Sequence, residues 1–486
     1  MSGCAFLTRS ASLLALGLVG CATGIAQHHV ASAVAPGPDR PWTPPADVAS
    51  APPPAAPAPA ADALPRAGET LSLSRLVGLA LANDPNTRAA YYSARAAAAA
   101  LGAQGSAYYP ELDLAIQAGY THQLRGAADP YTSLSVGPSL NLTWMLLDLG
   151  GRSANLAQAR ATLYAANFAQ NRALQDAVLG VEQAYYQYLG AKALATAGEA
   201  TVREAQGNLD AAKARKSAGL GTLADVLQAQ TALSQAQLSL QGYAGTTAAL
   251  RGSLANALGL PANTPVTVGE LPDTLQVKSV GVAVDALIAR AEARRPDLAR
   301  ARALALAATH HADAVRWRGW PTLGLTANLA PSYYLLPSPT HFGNSYGAAL
   351  TLSMPLFDGF KDTYDLVQAK AQQQVAAAQA QGVAQQVVLE VWTSYQNLES
   401  AALQVTTARD LLRSATQSEQ VIAGRYKAGV GSTLDVLTAQ AALAQARGLD
   451  VQARAAWLLA VAQLAHDTGA LGLEPEAAPT SNERTP

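Results

Sequence analysis

Residues 215–230 read RKSAGLGTLADVLQAQ, and residues 425–440 read RYKAGVGSTLDVLTAQ. Nine of the sixteen positions are identical, at a spacing of 210 residues. In both copies a Gly-x-Gly break interrupts sequence that favours helix on either side, and glycine readily supplies the left-handed residue that ends a helix. The two stretches therefore predict two helical hairpins with tight tips at 218–221 and 428–431.

A helix-capping signal follows each break. Thr222 and Ser432 are favoured N-cap residues, and an aspartate three residues later, Asp225 or Asp435, completes a capping box. A second interpretation is that the tips form the distal mouth of a tube, where the same carboxylates add negative charge and the tips meet partner proteins. The residues predicted to build the tips are Gly219, Gly221, Thr222, Asp225, Gly429, Gly431, Ser432 and Asp435.

The repeated break belongs to a larger internal repeat. Three further pairs match at an offset of 210 or 211 residues: NDP at 83–85 with RRP at 294–296, YYPELDL at 108–114 with GWPTLGL at 319–325, and WMLLDLG at 144–150 with MPLFDGF at 354–360. Residues 71–260 and 287–470 are thus predicted to be two copies of one unit. Each copy reads as a helix, a hairpin of strands, a long helix, the Gly-x-Gly break and a returning helix.

Each copy contains two segments in which apolar and polar side chains alternate. In the first copy Leu112 and Leu114 flank Asp113, and in the second copy Leu329 follows Asn328. This period of two gives a strand one apolar and one polar face. The segments are about ten to thirteen residues long, as a tilted strand needs to cross a bilayer. They are predicted to be transmembrane strands, with four amphipathic strands of a soluble sheet as the alternative.

The segments 151–217 and 361–427 are predicted to be single long helices. Neither contains proline, and apolar residues recur in them at helical spacing. At about 1.5 Å per residue such a helix is on the order of 100 Å long. These helices are too polar to cross a membrane and too long for a globular domain. They are therefore predicted to pack antiparallel in the manner of a coiled coil, with small alanine side chains allowing close approach.

The predicted organisation places these elements between two terminal segments. It consists of a lipoprotein signal peptide at 1–20, a Pro/Ala-rich tether at 21–70, the first repeat at 71–260, a linker at 261–286, the second repeat at 287–470 and a tail at 471–486. The first repeat has predicted strands at about 110–124 and 133–147 and helices at about 151–217 and 222–258. The second repeat has predicted strands at about 321–334 and 345–357 and helices at about 361–427 and 432–469.

The N-terminus has the pattern of a bacterial secretory signal. Arg9 precedes an apolar run at 13–19 that is too short to span a bilayer as a permanent helix. Residues 18–21, LVGC, resemble the lipobox of lipoproteins, which implies cleavage before Cys21 and acylation of that cysteine; an ordinary signal peptide with a chance cysteine is the alternative. Ala22 stands where an inner-membrane retention signal would carry Asp, which implies sorting to the outer membrane. A lipid on Cys21 would add a hydrocarbon anchor.

Composition and motifs argue against catalysis and against nucleic acid as a partner. Charged residues make up 14 % of the chain and the net charge is −1, so no general attraction to nucleic acid is expected. Both cysteines, Cys4 and Cys21, lie near the N-terminus, which excludes disulfides, Cys-ligated zinc and thiol catalysis in the remaining chain. No HExxH, phosphate-binding loop or Ser/His/Asp arrangement occurs. The prediction is a protein that is not an enzyme and that holds no cofactor and no metal.

The predicted strands also require self-association. Four strands are too few to close a membrane barrel, for which about eight is the smallest known number, and an open sheet edge is not viable in lipid. Three copies would supply twelve strands. The same symmetry would assemble the long helices into a helical tube.

At this point the chain resembles the outer-membrane efflux protein family, the TolC-like channel-tunnel proteins. The resemblance covers nearly all of residues 71–470 and rests on ALANDPNTRAA at 80–90, SAYYPELDL at 106–114, MPLFDGFK at 354–361, the paired tips and the repeat itself. It implies a homotrimer with a twelve-stranded barrel in the outer membrane above a periplasmic α-barrel. It also implies an equatorial region, assigned to 261–286 and the tail after Leu471, a periplasmic adaptor and an inner-membrane transporter as partners, and export of small molecules such as drugs or metals.

The resemblance also suggests roles for tip residues. Leu434 and Asp435, with Asp225 in the first copy, are candidates for a pore constriction, and Arg425 and Tyr426 for links between helices that hold it shut. Ordinary packing of the tips is the alternative for each of them. Some members close the pore with a carboxylate one turn beyond the position of Leu434, but this chain has Thr438 there and Gln228 in the first copy.

Three other functions remain as alternatives at this stage. A type I protein-secretion channel would have the same architecture, although the lipobox favours small-molecule efflux. A periplasmic adaptor also has long helical hairpins but would need lipoyl-like β-domains in place of membrane-type strands. An outer-membrane lipase or similar barrel enzyme would need a nucleophile and a base on the strands.

Overall fold

The computed structural model describes residues 34–35, 37, 39–42, 70–125, 129–273, 275, 283–336 and 339–471. The lipidation site predicted at Cys21, most of the tether predicted at 21–70 and the tail after Leu471 lie outside the described residues. The strands are β1 (Thr70–Leu71), β2 (Glu111–Arg125), β3 (Asp129–Leu147), β4 (Thr267–Val268), β5 (Thr322–Leu336) and β6 (His341–Ser353). The helices are α1 (Leu73–Asn83), α2 (Pro85–Gly105), α3 (Gly151–Ser217), α4 (Leu223–Ala257), α5 (Val284–Arg294), α6 (Pro296–Trp317), α7 (Lys361–Lys427) and α8 (Thr433–Asp467).

The chain divides into two compact units. The first contains Ser93–Ala166 and Arg300–Gln381, and it holds a four-stranded antiparallel sheet in the order β2-β3-β5-β6. The second contains the described parts of Ala35–Tyr92, Asn167–Ala299 and Gly382–Pro486, including both helical hairpins α3–α4 and α7–α8 beyond residue 166 and residue 381. Within the described ranges, no helix combines the length and apolar character needed to cross a membrane.

The strand register gives the sheet one apolar and one polar face. One row across the four strands is apolar and consists of Leu114, Leu140, Leu329 and Tyr346. The neighbouring row points to the other face and consists of Asp113, Asn141, Asn328 and Gly347. Paired residues of neighbouring strands lie on the same face of a sheet. The alternation in the single strands therefore produces one continuous apolar face and one continuous polar face.

The last strand lies four residues earlier than the alternation predicts. β6 runs over His341–Ser353, whereas the predicted segment was about 345–357. Its pairing with β5 ends at Ser353, opposite Thr322, and Pro355 lies two residues beyond. Proline has no N–H to donate to a strand ladder, so the ladder stops before the apolar residue Leu356.

The second unit has two hydrophobic cores with equivalent members. In the first copy the short helix α1 packs on α3 and the end of α4, and in the second copy α5 packs on α7 and the end of α8. Equivalent buried residues of the two cores are Leu76 and Leu287, Ala80 and Ala291, and Leu254 and Leu464. The two repeats thus share the order of their elements and also bury equivalent residues where each short helix packs on its helical hairpin.

The linker between the repeats is held on the long helices by basic side chains. Val268 in β4 is buried in the first core, where β4 pairs in parallel with β1. Lys192 of α3 donates to the backbone oxygens of Val268 (3.4 Å) and Gly269 (3.2 Å). Arg454 of α8 donates to the backbone oxygen of Pro272 at 2.8 Å. The linker therefore touches helices of both repeats.

A short piece of the predicted tether is docked on α3. Trp42 is buried and its ring meets Phe168 edge to face at 5.5 Å. The side chain of Asn171 accepts from the backbone N–H of Trp42 and donates to its carbonyl oxygen, both at 2.8 Å. Gln170 donates to two further backbone oxygens within 34–42. The Pro-rich composition did not predict this docking, because the partners are side chains about 130 residues away.

Candidate functional site

Each long helix ends in the same glycine-based cap. The N–H of Gly219 donates to the oxygen of Lys216 (3.0 Å) and the N–H of Leu220 to that of Arg215 (2.8 Å), while φ of Gly219 is 74°. The second tip repeats both bonds around Gly429, whose φ is 80°. This pair of bonds is the Schellman motif, which satisfies carbonyl groups that a helix end leaves without partners.

The two glycines of each tip are needed for different reasons. Gly219 and Gly429 adopt left-handed backbone angles but have open space where a side chain would lie. At Gly221 a Cβ would come within 3.2 Å of the backbone nitrogen of Lys216, and at Gly431 within 3.1 Å of that of Tyr426. The first glycine of each pair therefore allows the turn, and the second allows the chain to pass close to the helix it has just left.

The capping boxes predicted after each break are confirmed. Thr222 accepts from the N–H of Asp225 (3.2 Å), and Asp225 accepts from the N–H of Thr222 (2.8 Å). Ser432 and Asp435 make the same reciprocal pair, both bonds being 3.1 Å long. The returning helices α4 and α8 thus begin with their first N–H groups satisfied.

These bonds stabilise the ionised form of both aspartates. The pKa of Asp225 is lowered, first by hydrogen bonds from the hydroxyl and N–H of Thr222 and further by Thr433 and the charge of Arg215. The pKa of Asp435 is lowered chiefly by its hydrogen bonds with Ser432. Each carboxylate also lies in the first turn of a helix, where the helix dipole favours negative charge.

The two tips of one chain are joined by side chains from both repeats. The guanidinium of Arg215, in the last turn of α3, lies 4.6 Å from the ring centroid of Tyr426, in the last turn of α7. It also donates to the backbone oxygen of Tyr426 at 3.3 Å. Thr433 donates to the hydroxyl of the same tyrosine at 3.4 Å. Tyr426 was predicted to link helices, and the structure adds Arg215 and Thr433, whose partners sequence spacing does not indicate.

The predicted constriction residues lie together at the tip surface. The Leu434 side chain is 60 % exposed, and Arg425 is exposed near Asp435, whose pKa its charge helps to lower. Thr438 and Gln228, the positions that lack the expected carboxylate, are exposed as well. The exposed large apolar side chains of the tips are Leu220, Leu223, Leu227, Val430 and Leu434. Exposed apolar groups concentrated at one place are typical of a binding surface.

A second set of contacts joins α3 to α8 further along the hairpins. Arg447 makes a bidentate pair with Glu204, with distances of 2.8 and 2.9 Å, and Asn208 donates to Gln440. Glu204 and Gln440 line a groove of about 320 Å³ between α3, α4 and α8. The groove is lined mainly by small and polar side chains. These pairs could not be predicted from the sequence, since their members are more than 230 residues apart.

Replacing the left-handed glycines should destabilise the tips. We expect Gly219→Ala or Gly429→Ala to cost about 1–2 kcal/mol each, because a Cβ is unfavourable at these backbone angles. Hydrogen exchange of the tip segments measures the effect as faster exchange. A matched control is Gly242→Ala in the middle of α4, where the space is open and the backbone is helical. That change should stabilise the helix by about 0.5–1 kcal/mol. Equal effects of the tip variants and of Gly242→Ala would contradict the conclusion that Gly219 and Gly429 are needed for their left-handed backbone angles.

Comparisons with known proteins agree on one family. The sequence model of the family described as "Outer membrane efflux protein" matches residues 76–260 and 287–470. "Protein CyaE" of Bordetella pertussis is 31 % identical over 390 residues, which are 78 % of this chain and 80 % of that protein. "Solvent efflux pump outer membrane protein SrpC" of Pseudomonas putida is 27 % identical over 394 residues, or 78 % of this chain and 82 % of that protein.

The fold also matches a solved outer-membrane channel. The structure of OprN superposes with a TM-score of 0.75 at 20 % identity, over 83 % of this chain and 91 % of that one. At this level of identity the likeness shows the fold alone. The sheet, the long helices and the paired hairpins described above therefore form a TolC-like fold.

Proposed function

Because the chain belongs to the outer membrane efflux protein family, we propose that it is the outer-membrane duct of a tripartite export system. In this role it passes small molecules such as drugs or metals to the exterior. It receives them from an inner-membrane pump that is joined to it by a periplasmic adaptor. The relative named as a solvent efflux pump outer membrane protein supports small-molecule export.

The observation that carries the proposal is the four-stranded sheet with its apolar face and two open edges. Ile116 in β2 and Tyr346 in β6 are 79 % and 82 % exposed, on the strands at the two edges. In the described part of the chain, no other strand pairs with the outer edges of β2 and β6. A lipid environment accepts the apolar face but not the unpaired edges, whose N–H and C=O groups would have no partners there.

A second and a third copy of the chain are the partners that complete this sheet. Four strands per copy give twelve strands for a homotrimer, which is within the range of closed membrane barrels. β2 of one copy would pair with β6 of the next. The polar rows, such as that of Asn141 and Asn328, would then face the lumen, and the apolar rows would face outer-membrane lipid.

The long helices and their tips supply the periplasmic part of the proposed duct. α3 and α7 have 67 residues each, and a helix of that length extends for about 100 Å. In a trimer they would form an α-barrel, with 261–286 and the tail after Leu471 in its equatorial region. The tips carry exposed apolar side chains that suit an adaptor protein, and Gly219, Gly221, Thr222, Gly429, Gly431 and Ser432 are the proposed contact segment.

The pore constriction is proposed at the same tips. Leu434, Asp435 and Asp225 would narrow the open end, while Arg425 and the Arg215–Tyr426 contact would restrain the helices around it. Lipidation of Cys21 would add an anchor in the outer membrane beside the barrel. The lipid and the barrel would be two independent attachments to the membrane, so loss of the lipid alone would leave the barrel able to assemble.

The export role is tested by deleting the gene and measuring three cargoes. We expect dyes or metal ions to accumulate in the deletion strain and a co-expressed type I secretion substrate to leave the cell normally. Loss of protein secretion without accumulation of small molecules would favour the type I channel instead. Purified protein in detergent should run as a heat-resistant trimer, which a periplasmic adaptor would not form. A monomer with no export defect would overturn the proposal.

A further inference from the structure

An ionic cluster that contains a buried histidine lies where the end of α8 meets α3, far along the chain from the tips. His466 is 3 % exposed. Its Nδ1 lies 2.9 Å from Oδ1 of Asp467, and its Nε2 lies 2.9 Å from Oδ1 of Asp176 on α3. The imidazole ring therefore bridges two carboxylates that belong to different repeats.

The geometry around the ring distinguishes its two protonation states. An ionised carboxylate can only accept hydrogen bonds, and a neutral imidazole has one N–H and one lone pair. Only the imidazolium ion donates to both Asp176 and Asp467. In the neutral ring one nitrogen lone pair faces a carboxylate oxygen at 2.9 Å, which is repulsive, so one of the two contacts is lost.

The charged groups around His466 include more carboxylates than guanidinium groups. The carboxylates are Asp176, Asp297, Glu390 and Asp467, and the guanidinium groups are Arg172 and Arg295. Arg172 binds Asp176 at 2.8 Å and Asp297 at 3.4 Å, and Arg295 binds Asp297 at 2.5 Å and Glu390 at 2.6 Å. Asp467 makes its ion pair with His466 and also accepts from Gln463. A proton on His466 brings the cluster closer to neutrality.

The equivalent junction of the first repeat lacks these titratable groups. At an offset of 210 residues, the positions of His466, Asp467 and Asp176 are occupied by Asn256, Ala257 and Gln386 in the other copy. The two copies otherwise bury equivalent hydrophobic residues at this place. The repeated plan by itself therefore does not require titratable groups at these positions.

We propose that His466 is a proton-operated clasp between the two repeats, which holds the C-terminal end of α8 on α3 when the imidazole is protonated and releases Asp176 when it is not. The clasp is a property of the fold and does not depend on which cargo the protein exports. It makes the joint between α3 and the end of α8 responsive to pH.

The direction of the pH dependence follows from the balance of contacts. Burial lowers the pKa of His466 and Arg172 opposes its charge, but the hydrogen bonds to Asp176 and Asp467 outweigh both, so the pKa is raised above 6.5. A group whose pKa is higher in the folded state stabilises that state fully below its unfolded pKa. This stabilisation is lost as the pH rises through the folded pKa. The clasp is thus closed below the pKa of an unfolded histidine and opens as the pH rises through the raised pKa of His466.

Hydrogen exchange of the trimer in detergent tests the clasp locally. After correction for intrinsic rates, we expect peptides from the end of α8 and from the Asp176 region of α3 to exchange faster at pH 9 than at pH 6, because the contact between Asp176 and the protonated His466 is lost at the higher pH. His466→Gln should remove this difference. Asp176→Asn provides a second variant at a half-exposed position and should reduce the difference as well.

A control variant separates the clasp from general effects of pH. His310 on α6 lies 4.0 Å from Asp313 in a partly exposed pair within one helix. His310→Gln should therefore keep the full pH difference at the α8 end. The proposal is overturned if the two clasp variants retain the wild-type pH dependence, or if the wild-type protein shows none.

Discussion

Leu329→Arg should prevent the protein from assembling in the outer membrane. Leu329 lies at the middle of β5, in the apolar row with Leu140 and Tyr346. On the proposed lipid-facing surface, an arginine near the bilayer midplane costs about 2–4 kcal/mol per chain. Since every copy of a homotrimer carries the change, the cost is incurred three times in one barrel. We expect loss of the heat-resistant oligomer from outer-membrane fractions and loss of export.

Asn328, the residue before Leu329, provides the control for Leu329→Arg. Asn328 is adjacent in sequence and lies in the polar row, opposite Asn141 and Gly347. Asn328→Arg adds the same charge at nearly the same depth but on the proposed lumen side, where water is present. It should assemble and remain resistant to heat. Assembly of both variants, or failure of both, would show that the two faces do not differ as lipid and water.

Arg295→Met should give the largest loss of stability outside the sheet. The Arg295 side chain is 1 % exposed, pairs with Asp297 and Glu390, and donates to the backbone oxygen of Asp467 at 3.3 Å. Without Arg295, Glu390 loses this ion pair and Asp297 keeps only the one with Arg172. Removing one partner of a buried ion pair typically costs about 3–5 kcal/mol, and we expect a loss at the lower end because both carboxylates are partly exposed. We expect a lower midpoint of chemical unfolding for the purified protein.

The same variant should become more sensitive to acid. Burial raises the pKa of Asp297, but the hydrogen bonds and charge of Arg295 outweigh burial, so the pKa is lowered in the folded protein. The stability that such a group contributes is present above its unfolded pKa and is lost as the pH falls through the folded value. Without Arg295 the folded pKa rises, so acid unfolding should begin at a higher pH.

An exposed arginine on the neighbouring helix tests whether the effect is local. Arg290 on α5 has the same side chain but is exposed. Arg290→Met should change the free energy of unfolding by no more than about 0.5 kcal/mol, as is usual for surface positions. An equal loss in both variants would mean that burial of the ion pair is not the cause.

The last strand and the tips show where sequence reasoning succeeds and where it stops. Helix ends at the tips depend on a few consecutive residues, because a glycine in the left-handed region and a capping box act within one turn. The start of β6 depends instead on its pairing with β5, which alternation within one strand does not encode, and its end depends on Pro355, which the alternation does not take into account. The prediction at 345–357 was therefore displaced from the observed His341–Ser353.

At the candidate site, too, some residues could be predicted from the sequence, but their contact partners could not. The repeat identified Asp225 and Asp435, and the family resemblance identified Tyr426. Neither indicated the partner Arg215, which stacks on Tyr426 from a position 211 residues away. Nor did the sequence indicate the docking of Trp42 on α3. These contacts depend on which helix faces become neighbours, and that choice is made by packing of the whole unit.

The sequence by itself determined the two repeats, the long helices, the alternating strands and the chemistry of each tip, because periodicity, capping and turn formation are local properties of the chain. Only the tertiary structure decided the register that combines four strands into one apolar face, the link between the tips, and the ion pairs around Arg295 and His466. The physical reason is that these contacts bring together residues from different elements, such as Asp176 and His466, which are 290 positions apart, and no local pattern specifies which elements become neighbours.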